Sequence, residues 1–166
     1  MQYLKEWELT DAPALAEAIN NPEVQKNLRD GIPYPYTVGD GESYIQSALS
    51  APPDSQYVWA IQWEGRVIGS LGLFRKENIH RRTAELGYYI AEPYWGRGIT
   101  ARAVEEACRY VFENTDLLRL FAEPFACNAA SCRVLEKAGF VFEGLLRANA
   151  VKNGAVIDMK LYALLR

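Results

Sequence analysis

Histidine is almost absent from this chain: His80 stands alone among 166 residues. A histidine-built metal site is therefore excluded in practice, and a Ser-His-Asp or Cys-His nucleophile system has no base unless His80 itself serves. His80 lies in the polar, aperiodic run 78–82, which reads as an exposed loop. Cysteine is scarce too. Cys108, Cys127 and Cys132 are odd in number and lack a C-x-x-C spacing, so neither a disulfide framework nor a zinc knuckle is indicated. Basic charge is in slight deficit: 18 Lys plus Arg against 21 Asp plus Glu give a net −3. Such a chain carries no global field able to displace phosphate counterions, which argues against nucleic acid as its main partner.

Long apolar runs are missing as well. The longest, YVWAI from Tyr57 and LYALL from Leu161, are five residues, against the ~20 that a membrane-spanning helix needs. The opening MQYLKEWELTD has no apolar stretch of the kind an export signal carries, so a cytoplasmic protein without membrane association is expected. Only 12 Gly and 8 Pro occur, which excludes collagen-like and low-complexity classes. What is present is 49% hydrophobic and 23% charged residues, the balance of one globular domain spanning residues 1–166.

The patterning predicts a first strand over Tyr3–Leu9, then a helix capped at Thr10 or Asp11 and running to Ile19. A short helix follows from Pro22 to about Leu28, then the constrained Gly31–Tyr36 segment and a helix from about Asp40 to Leu49. Tyr57–Trp63 and Arg66–Phe74 read as a hairpin around Glu64-Gly65, with Val67, Gly69, Leu71 and Leu73 alternating against Ile68, Ser70 and Gly72. Further along come a strand over Ala84–Ile90, a helix over Gly98–Asn114 with Ala101, Val104, Cys108 and Val111 on one face, and a strand over Leu118–Glu123. A helix over Ser131–Ala138 ends at Gly139, and Phe140–Leu146 with Val156–Leu164 form a last hairpin around Asn153-Gly154. This order gives a mixed α/β (α+β) fold with a mostly antiparallel central sheet flanked by helices.

Chemistry concentrates where the strand AELGYYI (Ala84–Ile90) leads through Ala91-Glu92-Pro93 into YWGRGITARA (Tyr94–Ala103). Two glycines two apart at a helix start let backbone approach a ligand, and the free N–H groups and dipole of the first turn favour an anion such as a pyrophosphate. The run is not a G-x-G-x-x-G fingerprint, because Ala101 holds the last position, and no GK[ST] of a P-loop follows. A plain strand-to-helix turn is the alternative reading.

A second group, Asn128-Ala-Ala-Ser131 followed by LEKAGF (Leu135–Phe140) and Glu143-Gly144, lies further on. Together these segments resemble the GNAT superfamily of acetyl-CoA-dependent N-acetyltransferases, within it the RimJ/RimL branch of ribosomal-protein N-terminal acetyltransferases. The resemblance runs from LRDGIPYPYT (Leu28–Thr37) to the closing DMKLYALLR (Asp158–Arg166). It implies that Trp95, Gly96, Arg97, Gly98, Ile99 and Thr100 hold the coenzyme A pyrophosphate. The strand edge near Tyr89 and Ile90 would pair with the pantetheine arm, and Asn128 would contact the cofactor beyond the next strand. Pro93 occupies the first position of the family's Q/R-x-x-G-x-G/A pattern, which removes one side-chain contact and leaves the backbone mechanism intact.

The implied reaction is direct attack of an amine on the thioester. Glu85 is the candidate base, with substrate binding or pairing to an arginine as its alternative roles. Where many members carry a tyrosine proton donor, this chain has Leu135, and Ser131 is the replacement, with helix N-capping as its alternative or additional role. Tyr34 and Tyr36 in the irregular loop are candidate acceptor contacts. The expected acceptor is a protein N-terminal amine, with polyamines, amino acids or aminoglycosides as the next choice. A non-catalytic acyl-CoA-binding module is a third reading, and a homodimer is the branch's common assembly.

Overall fold

A computed structural model describes all 166 residues. Seven strands build one sheet in the order β1-β2-β3-β4-β5-β7-β6: β1 Leu4–Lys5, β2 Gln56–Trp63, β3 Arg66–Arg75, β4 Thr83–Ile90, β5 Arg119–Ala122, β6 Val141–Lys152 and β7 Ala155–Leu165. Five helices accompany it: α1 Ala12–Ile19, α2 Pro22–Gln25, α3 Val38–Leu49, α4 Ile99–Asn114 and α5 Ala129–Lys137. Every neighbouring pair of strands is antiparallel except β4 and β5. The expected mixed, mostly antiparallel architecture is what forms.

Turn chemistry explains the two hairpins. Glu64 and Gly65 sit at φ 49° and 77°, and Asn153 and Gly154 at φ 50° and 80°, the doubly left-handed geometry that matches the twist of paired strands. The helices divide between the two faces of the sheet. One face packs against α4 through Val104, Ala107 and Val111, joined by Leu71, Leu73, Leu86, Ile90 and Leu135. The other packs Ala12, Leu15, Ile19 and Ile45 of α1 and α3 against Ala60, with Trp7 and Tyr36. Each fully buried aliphatic side chain in these layers contributes about 1.5–3 kcal/mol.

Several boundaries differ from the sequence expectations. β1 is only two residues long, because Trp7 turns away to become 3% exposed in the α1/α3 core. Leu9–Asp11 forms a 3-10 turn in which Asp11 accepts from the backbone of Glu8 instead of bonding an α1 amide. α2 stops at Gln25, and α3 begins at Val38 because Thr37 and Asp40 cap it reciprocally. α5 begins at Ala129, two residues before the expected Ser131. The alternation along β3 is interrupted: Ile61 and Gln62 pair with Gly69 and Val67, so Ile68 is an extra residue and joins the α4-side core. β6 runs on to Lys152 by absorbing register shifts after Phe142 and Leu146. His80 is exposed in a 3-10 turn, as its polar surroundings foretold.

Candidate active site

β4 and β5 part company early. Their parallel pairing covers Thr83↔Arg119, Ala84↔Leu120 and Glu85↔Phe121; β5 then ends at Ala122 while β4 continues to Ile90 against β3. The Ala91 amide donates to the Ile68 carbonyl at 2.8 Å, so Gly87 and Tyr89 turn their backbone toward β3, while Tyr88 and Ile90 turn theirs to the opening. The Ile90 carbonyl there accepts from Trp95 Nε1 at 2.8 Å. Of the two residues expected at this edge, Ile90 thus presents its backbone to the gap and Tyr89 packs its ring against the α1/α3 core.

At the far end of the gap the chain turns through Gly96 and Gly98, both left-handed at φ 75° and 77°. A side chain is strained in that region, and glycine adopts it freely. Gly98 caps α4 without any side-chain bond to the first-turn amides, and no other side chain lies within 4 Å of a Cβ position at Gly96 or Gly98. The amides at the N-terminus of this 16-residue helix therefore face open space at its positive pole. Ile99 and Thr100 are buried, which leaves their backbone amides as what they offer. Arg97 is exposed and lies over the Tyr94 ring at 5.4 Å.

On the α5 side, Asn128 caps the helix by accepting from the Ser131 amide at 3.1 Å. This corrects the expectation that Ser131 is the cap. Its hydroxyl is instead 2.8 Å from the Tyr88 hydroxyl, tying α5 to the gap-facing stretch of β4. Burial, only partly offset by Ser131, raises the Tyr88 phenol well above its ordinary value, so it keeps its proton. Leu135 is fully buried in the core.

Glu85 faces the other way. Arg29 and Lys76 both hydrogen-bond its carboxylate, Lys76 at 2.5 Å, and Lys76 also lies over the Phe121 ring. Burial raises the Glu85 pKa, but these two donors outweigh it and hold the carboxyl below its ordinary value. Pairing with an arginine, one of the roles foreseen for Glu85, is realised. The expected acceptor residues are not brought together: Tyr34 is 58% exposed, whereas Tyr36 is 8% exposed in the core, where burial pushes its phenol up to about 12.

Arg29 belongs to a strap crossing this face, since the adjacent Asp30 pairs with Lys152 of β6 at 2.8 Å. Beneath it lies a cavity of about 280 Å³ between residues 29–30, Glu123 and Phe125 after β5, and 149–152 of β6. Sequence reading missed Arg29 and Lys76, the two partners of Glu85. A larger depression of about 540 Å³ lies between Met1–Tyr3 and α4, where Glu106 holds the Gln2 and Tyr3 amides. The buried Cys108 thiol is pushed up to about 12, which disqualifies it as a nucleophile.

Two internal strands that part in front of a helix with free amides form a site suited to an extended ligand that ends in an anion. Residues 3–141 match the acetyltransferase (GNAT) domain family. The uncharacterized N-acetyltransferase YoaA of Bacillus subtilis is 30% identical over 159 residues, covering 94% of this chain and 88% of its own. The ribosomal-protein-serine acetyltransferase of Escherichia coli is 31% identical over 100 residues, 60% of this chain and 55% of that one. Among solved structures, RimL, a ribosomal L7/L12 alpha-N-protein acetyltransferase in complex with coenzyme A, superimposes with a TM-score of 0.87 at 22% identity, covering 98% of this chain and 92% of that one. The chain belongs to the GNAT acetyltransferase family. It is an N-acetyltransferase, and acetyl-CoA is its acetyl donor.

Proposed function

We propose that the acceptor of this N-acetyltransferase is the α-amine at a protein N-terminus. The observation that carries the reading is the state of Glu85: ion-paired to Arg29 and Lys76 with a lowered pKa, it is a weak base. A site without a strong base suits an amine that is already partly neutral. An α-amine near 7.7–8.0 meets that need at pH 7, whereas a lysine amine near 10.4 does not. The ribosomal-protein acetyltransferases among its relatives support the same reading.

Acetyl-CoA supplies a reactive acetyl thioester when bound. We assign its pyrophosphate to the amides of Gly96–Thr100 beside Trp95, where both glycines leave open space. The outward backbone of Tyr88 and the amide of Ile90 offer unpaired groups for an extended pantetheine arm, the Ile90 carbonyl being held by Trp95. Asn128 uses its oxygen to cap α5 and keeps its amide NH₂ for the cofactor. Ser131 with Tyr88 forms a proton-bearing hydroxyl pair beside the gap, suited to protonating a leaving sulfur. Glu85 holds Arg29 and Lys76 in place beside the gap, and Tyr34 meets the incoming peptide at the surface. Exposed Val141, Phe142 and Leu145 on the edge strand β6 support a homodimer, and three unpaired cysteines suit a reducing, cytoplasmic setting.

Thiol release measured at pH 7 with lysine-free peptides bearing free N-termini, N-blocked lysine peptides, and polyamines tests the acceptor class. The free N-termini should exceed the blocked lysine peptides roughly two- to four-hundredfold in kcat/KM, following the neutral fractions of the two amines. Faster turnover of a polyamine than of every free N-terminus would overturn the proposal.

A further inference from the structure

We infer that Glu123 is the acceptor-binding carboxylate of this enzyme, seated in a cavity that receives the first residue of the incoming N-terminus; this rests on the amine-acceptor reading above. Register places it. Glu85 and Phe121 are partners across β4 and β5, so their side chains share a face, and Lys76, bonded to Glu85 and 5.4 Å from the Phe121 ring centre, marks that face. Glu123 follows Phe121 by two residues, at the point where β5 has already left β4. It lines the same 280 Å³ cavity as Arg29, whose guanidinium holds Glu85.

The charges around this cavity are spoken for, with one exception. Arg29 is on Glu85, and Asp30 and Lys152 hold each other at 2.8 Å. Glu123, partly buried, enters no ion pair and no side-chain hydrogen bond. A carboxylate that no protein donor occupies is open to a ligand that brings a charged N–H donor. The rest of the wall is mostly apolar: Phe125 and Met159 are 7% and 5% exposed and bridge each other through their backbones, and the one polar member, Asn149, turns its amide onto the Met159 sulfur at 3.3 Å. The volume falls just below the roughly 300–1,000 Å³ of sites for drug-sized ligands, so the space suits one residue and its amine. Glu85 on β4 and Glu123 just past the end of β5 are thus linked by Arg29, which bonds the first and lines the cavity with the second. The first is neutralised by two cations, and the second keeps a free negative charge for the amine.

The test compares wild type, Glu123→Gln and Glu123→Asp in steady-state kinetics with a lysine-free peptide bearing a free N-terminus, alongside calorimetric acetyl-CoA affinity. Glu123→Gln should raise the peptide KM roughly ten- to a hundredfold, with kcat changed far less and acetyl-CoA affinity unchanged. Glu123→Asp should recover part of the loss, and added salt should raise the KM of wild type more than that of the Gln variant. An unchanged peptide KM in Glu123→Gln, with wild type turning the peptide over, overturns the role of Glu123 and leaves the acceptor class standing. Equal losses of peptide and acetyl-CoA affinity overturn it too, because they mark a structural part. A wild type that prefers a polyamine, with the polyamine KM raised in Glu123→Gln, refutes the N-terminal reading while upholding Glu123.

Discussion

Glu85 carries one negative charge between two positive ones, and that arrangement decides what it can do. Burial raises its pKa and the bonds from Lys76 and Arg29 lower it further than burial raises it, so it is ionised throughout the neutral range. Its titration therefore lies on the acid side of the ordinary carboxylate value and cannot give a limb near pH 7. For wild type, log kcat/KM should rise with unit slope and level off near the acceptor amine's own pKa, about 7.7–8.0 for an N-terminus. Glu85→Gln should keep that limb in place; a limb that shifts or vanishes in the variant would make Glu85 the base. The identity of Glu85 was legible in the sequence. Its partners were not, because Arg29 comes from 56 residues away and reaches it only once the strap has crossed the sheet. Asn128 and Ser131 were legible as residues but exchanged in part of their roles. An Asn three residues before a Ser at a helix start is a capping pattern, and the Asn takes the cap while the Ser hydroxyl is released to Tyr88.

Among the elements, those governed by local rules matched expectation. Both hairpins carry turn residues with the required left-handed geometry, and α4 buries the apolar face that its helical spacing announces. Failures arose where tertiary contacts won. Trp7 leaves the strand pattern for the α1/α3 core, and Ile68 is displaced by a bulge whose origin lies in pairing with β2 and not in β3 itself. The close approach of β3 and β4 is the feature that holds the gap-facing end of β4 in line. A Cβ added at Gly69 would stand 2.2 Å from the Tyr89 carbonyl oxygen, whereas one at Gly87 would meet only the Phe74 ring at 3.9 Å. Gly69→Ala should therefore destabilise by about 1–3 kcal/mol, a fall of roughly 2–12 °C in Tm, while Gly87→Ala should stay within about 0.5 kcal/mol of wild type. Thermal unfolding of the two variants checks this, and equal Tm values would contradict it.

At the scale of the whole molecule, function rests on a sheet that separates where a helix points its free amides. No periodicity reports that separation, since it depends on β5 ending at Ala122 while β4 runs on to Ile90. The glycine turn was visible in the sequence; that its surroundings stay open was not. The central claim is that the N-terminus of α4 is the anion site for the coenzyme. Calorimetric titration of acetyl-CoA into wild type, Gly98→Asn and Gly98→Asp tests it most directly. Asn and Asp have nearly the same shape and tolerate left-handed backbone, so the two variants differ chiefly in charge. The account predicts that Gly98→Asp binds at least roughly tenfold more weakly than Gly98→Asn, with the difference shrinking as salt is added. Equal affinities in the two variants would contradict it.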